Sequence, residues 1–161
     1  MKYLFEYNWQ VRNEWFELLK SVPEEELYKK RIGGLQNIAH TLFHIIVVEY
    51  YWINDLQGKA FADRNFQDYV SLDQIIDLSE ELHVDIAAFV HNWSAGMEDK
   101  ILDLNLEESN RIYCTYGEVM RHVIAHEIHH MGQLSVWARE IGIKPVSANF
   151  IHRGIIIDNK E

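Results

Sequence analysis

Four histidines fall within nine residues of the stretch Arg121-His122-Val123-Ile124-Ala125-His126-Glu127-Ile128-His129-His130-Met131-Gly132-Gln133. On a helix, His126 and His130 are one turn apart, with roughly 6 Å between Cβ atoms, close enough for one metal ion to be shared between them. Two ligands hold a metal weakly, so a third is expected from another element. The stretch His40-Thr41-Leu42-Phe43-His44 repeats the four-residue spacing. If it faces the first stretch, His44, His126 and His130 form a three-histidine site whose tetrahedral geometry leaves one position for water or substrate. Neutral imidazoles suit zinc, nickel, copper or iron, and spacing does not choose among them.

Single histidines on apolar helices are more often core or surface residues than ligands, and His83, His91 and His152 are read that way. His40 and His122 each stand one turn before an expected ligand, as supporting groups, extra ligands or packing. His129 lies roughly 300° round from His126 and reads as a surface residue. The five residues from His126 to His130 also match H-E-x-x-H, in which the glutamate, here Glu127, is the general base of a zinc peptidase. Against that reading, Val136 stands where a metzincin needs its third histidine, and no sheet is expected to hold a substrate strand.

These residues need helices to position them. Apolar periodicity predicts a first helix from about Tyr3 to Leu19, a break around Pro23, and a second helix from about Gln36 to Leu56, ending before Gly58. The second is apolar nearly all round, with Asn37, His40, His44 and Tyr51 as a narrow polar seam. A third helix opens with Ser71 and Gln74 as a capping box and is expected to end near Gly96. The fourth opens with the box Thr115 and Glu118 and extends to about Ile141. Between them, Lys100 to Cys114 carries alternation that fits a short hairpin. The expected class is all-α, a four-helix bundle over residues 1–161 as one domain, with a possible hairpin before the last helix. Trp9, Tyr51, Trp52 and Trp137 are candidate pocket walls, although aromatics at helical spacing are more often core.

Composition narrows the function classes. The 161 residues carry a formal net charge of -10, which opposes direct binding to nucleic acid. One cysteine, Cys114, cannot form an internal disulfide or a thiolate zinc site, which fits a reducing, cytoplasmic location. The N-terminus lacks the apolar run of a signal peptide, and the stretch from Ile45 to Ile53, broken by Glu49, is too short for a membrane span.

The segment from His44 to Trp52 resembles the H-x4-E-x2-W signature of the DinB superfamily, and the segment from His126 to Leu134 is similar to its H-x3-H-x-G-Q-L signature. Tyr7-Asn8-Trp9, Leu18-Leu19 and Pro23 to Leu27 resemble its opening helix, so the likeness spans nearly the whole chain. It implies an up-down-down-up four-helix bundle, commonly a homodimer, with a divalent metal on His44, His126 and His130. Zinc or nickel come first, and iron, manganese or copper are further choices. Many members carry an arginine where this chain has Met131. Some relatives are S-transferases using mycothiol or bacillithiol, which implies a small-molecule thiol and an electrophile as partners. A non-catalytic metal-binding role is the alternative, and no catalytic residue is assigned.

Overall fold

Thr115 accepts a hydrogen bond from the Glu118 amide, while the Glu118 carboxylate accepts one from the Thr115 amide. This reciprocal cap satisfies two free donors and starts the longest helix, Tyr116–Glu140, which carries the histidine cluster. A computed structural model describes residues 1–107 and 110–156. Its helices are α1 (Lys2–Leu19), the single-turn α2 (Glu24–Tyr28), α3 (Ile38–Gln57), α4 (Leu72–His91) and α5 (Tyr116–Glu140). A two-stranded antiparallel sheet, β1 (Ile101–Glu107) and β2 (Asn110–Thr115), precedes α5 with Ile101 opposite Thr115 and Leu104 opposite Ile112. The chain is therefore mostly helical with one small hairpin. Residues 108–109 and 157–161 of the expected domain lie outside the described residues.

Two boundaries and one cap differ from the sequence reading. α3 starts at Ile38 because the Asn37 side chain accepts the His40 amide, while Gln36 just before it has a left-handed φ of 70° that no helix tolerates. α4 stops at His91, so Trp93 lies beyond the helix, half-buried against the core. Ser71 caps α4 by accepting the Gln74 amide, but the Gln74 side chain accepts from Val70 rather than from Ser71. At the far end of α3, Gly58 adopts φ 64°, which terminates the helix at the expected place.

The core joins all the long helices. Trp15, Leu19, Leu42, Ile46, Ile53, Ile75, Ile86 and Met120 are buried together. α3 packs against α4 and α5, and α1 packs against the same two. The segment after α5 returns across α1, where the Tyr7 hydroxyl donates to the Ala148 carbonyl at 2.8 Å. No helix among the described residues is long and apolar enough to cross a membrane.

Candidate metal centre

His44 lies in the middle of α3, and His126 and His130 lie on the facing turns of α5. The Nε2 atoms of His44 and His126 are 3.0 Å apart, and those of His130 and His126 are 3.1 Å apart. One ligand atom from each of the three lies within 4.8 Å of the others, the one trio of this kind among the described residues. A neutral imidazole nitrogen carries either one proton or one lone pair in the ring plane. His126 Nε2 can therefore satisfy one neighbour by a hydrogen bond, but not two. A cation placed between the rings accepts all three lone pairs. Tetrahedral coordination at ~2.0–2.1 Å sets nitrogens roughly 3.3 Å apart, a few tenths of an ångström from what is found. The donor set thus fits a divalent ion.

The electrostatics agree. Burial pushes His44 down to about 4, and the neighbouring His130 and His40 add to the shift. Burial pushes His126 down to about 3, helped by His130, His44, His122 and His129. His130 is also lowered by burial, partly opposed by its bond to Gln133. At neutral pH all three rings are uncharged, the form that ligates metal. His130 Nδ1 lies 2.9 Å from Gln133 Oε1, so that nitrogen holds the proton and Nε2 keeps its lone pair. Gln133 Nε2 lies 3.0 Å from His129 Nε2, which makes the exposed His129 an acceptor at the end of the same chain. Gly34, at φ 48°, closes over Gln133 so tightly that a Cβ there would lie 2.5 Å from Oε1.

No other histidine joins the trio, although His122 lies 5.7 Å from His126 and His129 5.2 Å from His130 between ring centroids. His40 stacks on Phe66 with centroids 4.2 Å apart, and His122 sits edge-on to Trp52 at 5.6 Å. His83 packs edge-on to Trp9 at 4.6 Å, His91 meets Glu6 at 2.6 Å, and His152 is exposed. Of the four aromatics considered as walls, Trp9 and Trp137 are core residues that donate to Glu49 and to the Ile32 carbonyl. The Tyr51 hydroxyl accepts from the Arg64 amide, which leaves Trp52, beside His122, near the histidines.

Glu127 turns away from them. Its carboxylate accepts from Arg12 Nε at 2.9 Å and Arg12 Nη2 at 2.6 Å, and the same Nη2 donates to Glu49 at 2.7 Å. All three side chains are at most 3% exposed. A carboxylate held on both oxygens by a buried guanidinium cannot serve as a general base at the histidines, which adds to the sequence argument against the peptidase reading. The Arg12, Glu49 and Glu127 cluster was not assembled from sequence. Its signals were there: Glu49 breaks an apolar run, and Arg12 shares a helix face with Trp9 and Phe16. A buried carboxylate demands such a cation.

Comparison with known proteins matches this arrangement to one family. The DinB family model matches residues 1–154. The chain is 46% identical over 153 residues to the uncharacterized protein YizA of Bacillus subtilis (strain 168), covering 95% of each. It is 23% identical over 147 residues to Protein DinB of the same organism, covering 86% of this chain and 84% of that protein. The crystal structure of the DinB-like protein YjoA from Bacillus subtilis superposes with a TM-score of 0.60 at 19% identity, over 89% of this chain and 95% of that one, and so shares the fold. With the family model spanning both histidine segments, the chain belongs to the DinB family.

Proposed function

We propose that this protein binds one divalent cation, zinc or nickel before iron, manganese or copper, through His44, His126 and His130. In this reading it is a metal-dependent S-transferase joining a small-molecule thiol to an electrophile, in stress or detoxification. The carrying observation is the approach of His126 Nε2 to two other Nε2 atoms at 3.0 and 3.1 Å, which one cation satisfies and hydrogen bonding does not. The four long helices are read as an up-down-down-up bundle, with α3 and α5 presenting the ligands.

A bound divalent ion supplies a Lewis acid that lowers the pKa of a thiol beside it. The protein's own groups do the rest. His44 and His126 are half-buried, which leaves the outer side of the trio open to a small molecule, while His130 is buried and anchored by Gln133. The thiol gives up its proton to solvent, its sulfur forms a bond to the electrophilic carbon, and the leaving group departs with its electron pair. The homodimer and cytoplasmic location belong to the same proposal, the second resting on a single cysteine with no partner.

Elemental analysis of the purified protein, followed by turnover assays with bacillithiol and mycothiol against an alkyl halide, tests this reading. One equivalent of metal and thiol-dependent turnover lost on chelation are expected. Metal without turnover would leave the non-catalytic role, in which the ion ties α3 to α5. Absence of metal uptake would sink the site.

A further inference from the structure

His44, Val48 and Trp52 recur every four residues along α3 and are all half-buried, a line that drifts by only about 40° per step. α5 runs beside it with His130, His126 and His122 in the reverse order. At the far end of the line the Trp52 and His122 rings meet with centroids 5.6 Å apart and planes at 74°. His122 is exposed and lies 5.7 Å from the ring of His126, so the seam between the two helices leads from the trio to a corner of two solvent-reached rings. The other rings along this side of α3 are already covered by the segment that follows the helix: Phe66 stacks on His40 at 4.2 Å and Phe61 on Tyr51 at 4.8 Å. Trp52 pairs with no ring other than His122 among the described residues. A third ring laid in such a corner stacks on one wall and meets the other edge-on, the two arrangements that aromatic quadrupoles favour. A saturated group of equal size gains the buried area alone.

The charges at the two ends restrict what that ring carries. Three neutral imidazoles leave the charge of a divalent ion uncompensated, so a cationic group beside the trio is repelled. Arg121, next to His122, is paired with Glu98. Asp55, one turn past Trp52, is half-buried, and burial pushes its carboxyl up with no cation opposing the shift. An anionic group at that end meets a like charge. From the open corner of Trp52 and His122 beside the trio, we infer an electrophile subsite for a neutral aromatic compound, its benzylic carbon turned towards the histidines. The inference rests on the transferase reading. In that reaction the thiol sulfur bonds the benzylic carbon as the bond from that carbon to a halide breaks. The halide leaves with the electron pair, and the thiol proton passes to solvent.

Benzyl alcohol is an unreactive stand-in for a benzyl halide, with cyclohexylmethanol as the saturated control and para-hydroxymethylbenzoate as the anionic one. Titration of the full chain, both metal-free and zinc-loaded, is followed through the Trp52 indole N–H and the His122 ring resonances. Benzyl alcohol should shift both saturably, with a Kd on the order of 1–10 mM. Each control should bind about two- to tenfold more weakly. Trp52→Leu should remove the preference for the aromatic ring, and Trp52→Phe should retain it. His122→Leu, at an exposed position where folding is not at stake, should narrow the preference. Because the metal-free chain is titrated too, loss of the ring preference overturns the subsite, whereas absence of metal uptake in elemental analysis overturns the centre. Equal binding of cyclohexylmethanol, shifts away from Trp52 and His122, an unchanged preference in both leucine variants, or no saturable shift would each defeat the assignment.

Discussion

Two polar clusters meet α5 through adjacent residues and resolve their chemistry in opposite ways. The Arg12, Glu49 and Glu127 cluster is closed: a buried cation faces buried carboxylates, and the Trp9 indole donates to the remaining Glu49 oxygen at 2.8 Å. The His44, His126 and His130 cluster is open: three neutral nitrogens converge without enough protons to bond one another. Successive residues on a helix point about 100° apart, so His126 and Glu127 belong to different sites despite touching in sequence. The difference teaches that H-E-x-x-H is two half-motifs here, one for a cation from outside and one whose cation is built in.

The comparison breaks most severely at Arg12. Arg12→Met leaves two buried carboxylates without their cation, and a loss of about 3–5 kcal/mol in chemical denaturation is expected. Burial already pushes the Glu127 carboxyl up, against the opposing pull of Arg12, so removing the guanidinium forces proton uptake or unfolding. Unchanged stability would mean that the cluster is hydrated and not closed.

His126→Ala tests the open side. The variant should remain helical by circular dichroism and lose stoichiometric metal uptake. Wild-type protein should gain about 2.7 kcal/mol with free metal at 100 times Kd, and the variant none. Equal metal-induced stabilisation in both would remove His126 from the site. Glu127→Gln, made alongside, should leave uptake intact, since Glu127 bonds Arg12 and not the histidines.

A smaller effect comes from the residue that orients a ligand. Gln133→Leu removes the acceptor for His130 Nδ1 and frees the ring to place its proton on either nitrogen. Metal affinity measured against a competing chelator should fall by about 10–100-fold. Gly34→Ala should weaken affinity in the same direction, because its Cβ would press on the Gln133 amide.

Much of this was legible in the sequence. Helical spacing predicted the pairing of His126 with His130, and the polar seam on an apolar helix placed His44 opposite them. The capping box of Thr115 with Glu118 marked the start of α5. The Arg12 cluster escaped because it joins α1, α3 and α5, and single-helix periodicity carries no information on which buried charges meet. Gln133 escaped for a related reason: its angular alignment with the histidines was visible, but its bond to His130 Nδ1 depends on a rotamer held by Gly34 from a distant loop.

The least severe test is acidification without metal. His44 and His126 titrate in the folded protein at about 4 and about 3, well below the ordinary 6.5, because burial and neighbouring imidazoles disfavour their charged forms. Between pH 6.5 and those values the unfolded chain binds more protons than the folded one. Stability is therefore fully present above pH 6.5 and declines as pH falls towards 3. Both rings are about half-buried, so solvent screening reduces the total to on the order of 1 kcal/mol. Urea denaturation of metal-free protein at pH 7 and pH 4.5 should show that loss, and His126→Ala should flatten it. The closed cluster acts in the opposite sense over this range: burial raises Glu127, so any proton it takes up in the folded state offsets part of the histidine loss. A slope that is unchanged in His126→Ala would assign the acid sensitivity to groups outside the open cluster.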